Sequence, residues 1–135
     1  MAEITDFAVL AANNTARFPE GQLVPTINDG ARELEAIVAR WFKDNNGSIL
    51  TSGSANAYAI LTNRTITSHA AGNRFCVRVH VANTGASTLT VNALASKPLR
   101  RSGGAALQSG DISTNQIIDV VYNSAGDYFE CIGVR

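Results

Sequence analysis

Two histidines and two cysteines are the side chains of this 135-residue chain best suited to metal binding or nucleophilic chemistry, and their spacing argues against both. Cys76 and His80 fall on one face of a strand-like run, four residues apart, which is about 13 Å at the rise of a β-strand. A zinc ion holds sulfur and nitrogen ligands at about 2 Å, and a cysteine nucleophile must touch its histidine base. His69 has no neighbour at a metal-ligand spacing. Neither a metal site nor a cofactor is expected. Cys76 and Cys131 belong to separate strand-like runs. In a reducing cytoplasm they pack as small apolar thiols; oxidation in an extracellular particle leaves a disulfide between them as the alternative.

Four carboxylates, Asp111, Asp119, Asp127 and Glu130, fall in the second half of the chain. Glycoside hydrolysis needs two of them about 5 to 9.5 Å apart across a cleft, and a small region dense in turns has little volume for one. The run Arg101-Ser102-Gly103-Gly104-Ala105 lacks the Gly-Lys-Ser/Thr ending of a phosphate loop and reads as a hairpin turn. Lys97, Arg100 and Arg101 form a basic cluster without interleaved aromatics, which reads as a solvated loop or, otherwise, as a contact to an acidic neighbour. No enzyme is expected.

Eleven basic residues balance eleven acidic ones, so no field steers the chain to nucleic acid or an anionic membrane. Hydrophobic content of 45% with only 16% charged residues describes a globular, charge-poor protein. No run reaches the ~20 apolar residues of a membrane span. The start, Met1-Ala2-Glu3-Ile4-Thr5-Asp6, lacks the positive charge and apolar core of a signal peptide, so synthesis in the cytoplasm is expected. The glycosylation-like triplets at Asn13, Asn46 and Asn63 are then chance matches.

The elements that must position these side chains come in three parts: an arm (1–25), an amphipathic helix (26–46) and a β-module (48–135). Pro19 and Pro25 bias the arm toward extended backbone. Thr26 is placed to cap the helix, with Asp29 three residues on to reach back. Leu34, Ile37, Val38, Trp41 and Phe42 form one apolar stripe at helical spacing, and Asn45-Asn46-Gly47 supplies the stop. The stripe packs under the β-module, or copies of it pack around an axis or into a socket of a larger assembly, and these readings do not exclude one another. Asn73–Val81 alternates with period two and, across the turn Asn83–Ala86, reads as a hairpin with Ser87–Val91. Gln116–Tyr122 and Tyr128–Ile132 make a second hairpin, with weaker strands near Tyr58–Leu61, Arg64–Ser68, Pro98–Arg100 and Ile112. The predicted fold is mainly β: an extended arm and one helix, then a small antiparallel β-sandwich or barrel.

The run Phe18-Pro19-Glu20-Gly21, a short gap, Pro25-Thr26-Ile27-Asn28-Asp29 and a helix opening Ala31-Arg32-Glu33-Leu34 resembles the amino-terminal attachment segment of bacteriophage tail-fibre proteins. Gly30 departs from it, since such helices more often carry Ala or Ser there. Lys97–Arg101, Gly104–Leu107, Gly110–Ile112 and Gln116–Tyr122 are similar, more loosely, to β-modules of phage fibres. The resemblance implies a non-enzymatic virion component, commonly a homotrimer, built as a short tail or collar fibre or a fibre adaptor. It implies virion attachment through Phe18, Pro19, Glu20, Gly21, Pro25, Asn28, Asp29 and Arg32, with self-association through Leu34, Ile37, Val38, Trp41 and Phe42. Its implied partners are other virion proteins, with no nucleic acid and no membrane insertion. The competing expectation is a small carbohydrate-binding module that recognises host surface glycans through Tyr58, Tyr122 and Tyr128.

Overall fold

A computed structural model of the chain describes residues 3–9, 11–15, 18–19 and 21–135. Helix α1 runs from Val24 to Asn45. It begins two residues before the expected start because Pro25 lies in the first turn, where its fixed φ suits the helix and its missing N–H costs nothing. Leu23, extended at φ −67°, ψ 137°, occupies the N-cap position. Thr26 is therefore inside the helix, its hydroxyl donating to the Leu23 carbonyl at 2.7 Å, and Asp29 turns to Arg32 instead of the cap. The stop is as expected: Asn46 is the C-cap and Gly47 follows at φ +79°.

The expected extended arm is not what the described residues show. Ile4–Asp6 and Ala11–Asn13 form single 3-10 turns, and the Asn14 side chain bridges the Ala8 N–H and carbonyl at 2.8 Å each. Glu3 is buried and accepts from the Thr65 N–H at 3.0 Å and from Arg40 Nε at 3.3 Å. The start of the chain is thus folded back on the middle of α1.

Eight strands follow: β1 Ile49–Leu50, β2 Ser52–Ser54, β3 Ala57–Ile60, β4 Arg74–Arg78, β5 Ser87–Val91, β6 Lys97–Arg101, β7 Ile117–Asn123 and β8 Tyr128–Ile132. They form one sheet in the order β1-β4-β7-β8-β6-β5-β3-β2. Its two ends, β1 and β2, are separated in the chain by Thr51 alone, so the sheet curls into a nearly closed barrel. Three pairings are parallel (β1 with β4, β3 with β5, β6 with β8), so the sheet is mixed rather than antiparallel. Alternation sends Phe75, Val77 and Val79 inward with Ile118, Val120 and Tyr122, and these meet Tyr58, Ile60, Leu89, Val91, Leu99, Phe129 and Cys131 from the other walls. Leu107 and Ile112, from connections, complete this packed interior.

The β7–β8 hairpin forms as the alternation predicts, whereas β4 and β5 do not pair. β4 lies between β1 and β7, and β5 lies between β3 and β6. The segment between β4 and β5 crosses the barrel end instead of turning, tied there by Asn83. That buried side chain donates to the Gly85 and Gln108 carbonyls and accepts from the Ile112 N–H. Residues 64–68 are not a strand either, because Arg64 is drawn to α1. Ile112 is buried in a loop.

Candidate functional site

Helix α1 presents two faces with opposite fates. The inner face carries Ile37 and Asp44, both fully buried. Asp44 accepts from the Asn63 N–H at 2.7 Å, Asn63 Nδ2 at 2.9 Å, the Arg64 N–H at 3.2 Å and Arg64 Nε at 2.7 Å. Arg64, itself 4% exposed, lies over the Phe75 ring at 5.5 Å and donates from Nη2 to the Arg74 carbonyl. This cluster fixes the C-terminal half of α1 to the barrel.

The outer face is apolar and uncovered. Of the expected stripe only Ile37 is buried; Leu34 is 38% exposed, Val38 48%, Trp41 42% and Phe42 59%. The β-module therefore does not cover the stripe. Toward the helix start, Val24 and Ile27 are exposed as well, and Val24, Ile27, Ala31, Leu34, Val38 and Trp41 step along at alternating spacings of three and four. That is the repeat of a helix seam that pairs with another helix. Val24, Ile27 and Ala31 are the part that sequence reasoning missed. The expected start at Thr26 left out Val24, while Ile27 and Ala31 lay inside the expected helix and their three-and-four spacing was legible there.

Two shallow hollows border this face. One, about 510 Å³, is lined by Leu34, Glu35, Val38, Ala39 and Phe42. The other, about 250 Å³, lies between Leu34 and the folded-back start of the chain, with Phe7, Ala8, Asn14 and Phe18 around it. Among the expected attachment residues, Phe18, Pro19, Gly21, Pro25, Asn28, Asp29 and Arg32 are all exposed, and Asp29 and Arg32 pair at 3.6 Å. Glu20 lies outside the described residues.

The remaining candidates are dispersed. Cys76 faces outward opposite Asp119, while Cys131 is fully buried opposite Val120. Both are free thiols, and their positions on opposite faces of the sheet exclude a bridge within the chain. Burial pushes the Cys131 thiol up to about 12 and raises that of Cys76. The basic cluster is not a solvated loop. Lys97 pairs with Asp127, Arg101 pairs with Asp111, and Arg100 lies over the Tyr128 ring at 5.2 Å while donating to the Gly104 carbonyl. Asp119 is held by Arg74, and Glu130 accepts from the Gly103 N–H. Among the described residues no group of three His, Cys, Asp or Glu side chains could hold a metal ion, and no helix is long and apolar enough to cross a membrane.

Two of the three tyrosines expected to stack on a glycan are core residues: Tyr58 is 2% exposed and Tyr122 9%. Tyr128 is half-buried under Arg100. Comparison with protein-family models and with curated protein sequences finds no match for this chain. Its class is set by the fold alone: a mainly β protein in which one helix precedes an eight-stranded, barrel-like sheet.

Proposed function

We propose that this chain is a non-enzymatic structural component of a bacteriophage virion, a short tail or collar fibre or a fibre adaptor. It associates with copies of itself through α1 and with neighbouring virion proteins through the segment 18–32. The observation that carries the reading is the uncovered apolar seam of α1 above a barrel whose interior is already filled. Burying a large apolar side chain is worth about 1.5–3 kcal/mol, so a row of them left in water is a strong drive to associate. Phe42 beside Trp41 widens the apolar arc beyond a two-helix seam, which favours three copies. The identity of the particle comes from the resemblance of Phe18–Gly21 and Pro25–Leu34 to fibre attachment segments, and the exposed side chains of that segment are available for contact.

Deleting residues 1–22, which leaves the N-cap Leu23 and the whole of α1 in place, tests the attachment role. The truncated chain is expected to keep the circular dichroism of the barrel yet to be absent from assembled particles. Incorporation of the truncated chain at the level of the full one would contradict the proposal.

A further inference from the structure

The barrel closes through one run of chain, 49–54, that changes neighbours at Thr51. Before it, β1 pairs with β4 over two residues only; after it, β2 pairs with β3. The Thr51 N–H donates to the Arg78 carbonyl at 2.9 Å. In a parallel ladder the next bond would run from the His80 N–H to the Thr51 carbonyl. Here the Thr51 hydroxyl accepts that N–H instead, at 3.0 Å, which frees the backbone to bend toward β3.

The His80 ring completes the junction. Its Nδ1 lies 2.7 Å from Thr51 Oγ1 and its Nε2 lies 3.2 Å from the Gly53 carbonyl oxygen. A carbonyl only accepts, so Nε2 carries the ring proton, Nδ1 is the acceptor, and the Thr51 hydroxyl donates to it. Each polar atom of this cluster is satisfied only while the imidazole is neutral.

We propose that His80 and Thr51 form an acid-sensitive latch, in which a proton on Nδ1 releases the run 49–51 from β4 and opens the barrel seam beside the end of α1. With Nδ1 protonated, the Thr51 hydroxyl faces a donor and its own proton loses its acceptor. Thr51 is 3% exposed, and a donor left unsatisfied in such a place shifts an opening equilibrium by about tenfold. The β2 side does not yield, because Gly53 at φ +87° sits where a Cβ would come 2.3 Å from the Ala57 oxygen, a tight hairpin fixed by backbone. The two-residue β1 side is the weaker one.

The groups that face His80 do not offset its charge. From β3, Tyr58 stands edge-on with ring centroids 6.0 Å apart, its hydroxyl donating to the Val81 carbonyl. Burial pushes that phenol upward, so it stays neutral. From β4, Arg78 reaches Asn115 at 3.3 Å. The run 49–54 brings no charged side chain. Among the described residues no carboxylate pairs with His80.

Amide exchange of the full chain, followed by NMR at about pH 7.5 and about pH 5, tests the latch. After correction for intrinsic rates, protection of the Thr51 and His80 amides is expected to fall about tenfold in acid, while that of Val120 and Cys131 holds. In His80→Gln, whose amide can accept from Thr51 and donate to Gly53 at either pH, the fall should vanish. Unchanged protection at Thr51 and His80, an equal loss in every strand, or the same fall in His80→Gln would overturn the proposal. A measurement on the unaltered protein keeps it testable if the variant does not fold. Ring nitrogen shifts at about pH 7.5 should show the proton on Nε2, and a proton on Nδ1 would refute the latch.

Discussion

Asp44, in the last turn of α1, and Arg64, in the loop after β3, form an ion pair at 2.7 Å with both side chains out of solvent. Two charges are costly to bury unless every lone pair and proton finds a partner. Asp44 meets that condition with its four donors, from Asn63 and Arg64. The pair sets which face of α1 meets the barrel, and so which face is left for another molecule.

Removing one member should be severe. Asp44→Ala leaves the Arg64 guanidinium buried without its counter-charge, a change worth about 3–5 kcal/mol, read as a lower denaturant midpoint. Asp29→Ala, which breaks the exposed pair with Arg32, should cost less than about 1 kcal/mol. Equal effects from the two variants would mean that Asp44 does not anchor the helix.

Gly53 tests the barrel junction independently of any charge. Any side chain there must hold a left-handed backbone and clear the Ala57 carbonyl. Gly53→Ala is expected to destabilise by more than about 1 kcal/mol, whereas Gly72→Ala, left-handed too but with open space around it, carries only the backbone strain. Thermal unfolding of the two variants gives the comparison.

The two cysteines should behave as unlike thiols. Native protein is expected to show the same intact mass with and without reductant. Iodoacetamide should label Cys76 slowly and Cys131 only on unfolding, since burial holds the latter thiol up to about 12. A mass two hydrogens lower without reductant would contradict the fold, because it would require Cys131 to leave the interior.

Acid should act on two ion-paired carboxylates, Asp111 and Asp127. The Arg101 guanidinium, helped by the Gln108 N–H, holds the Asp111 carboxyl below its usual range; Lys97 and the Tyr122 hydroxyl do the same for Asp127. A folded-state value below the unfolded one means stabilisation that is present above about pH 4 and lost as pH falls through the lower, folded value. Arg101→Met should move the Asp111 titration upward, followed by carboxyl carbon NMR, and leave Asp127 where it was. An unmoved Asp111 midpoint would show that the pair does not form in solution.

The helix was legible because Leu34, Ile37, Val38, Trp41 and Phe42 keep helical spacing and Asn45-Asn46-Gly47 marks the end. Its start was not, since Pro25 reads equally as the end of an extended arm or as a first-turn residue. Alternation located β4, β5, β7 and β8, but period two says nothing of which strands are neighbours. The misread β4–β5 hairpin depends on where the buried Asn83 side chain finds its partners, near Gln108 and Ile112. Likewise, the stripe of α1 was visible in the sequence while its covering was not, because the buried pairing of Asp44 with Arg64 joins residues twenty apart.

The central claim is that copies of this chain associate through the outer face of α1. Light scattering on the purified 135-residue chain across a hundredfold concentration range measures it most directly. The account predicts the mass of an oligomer, three chains in the proposed arrangement, and its loss in Val38→Asp/Trp41→Ser, which leaves Ile37 and Asp44 on the barrel. A concentration-independent monomer, or an oligomer untouched by those substitutions, would contradict it.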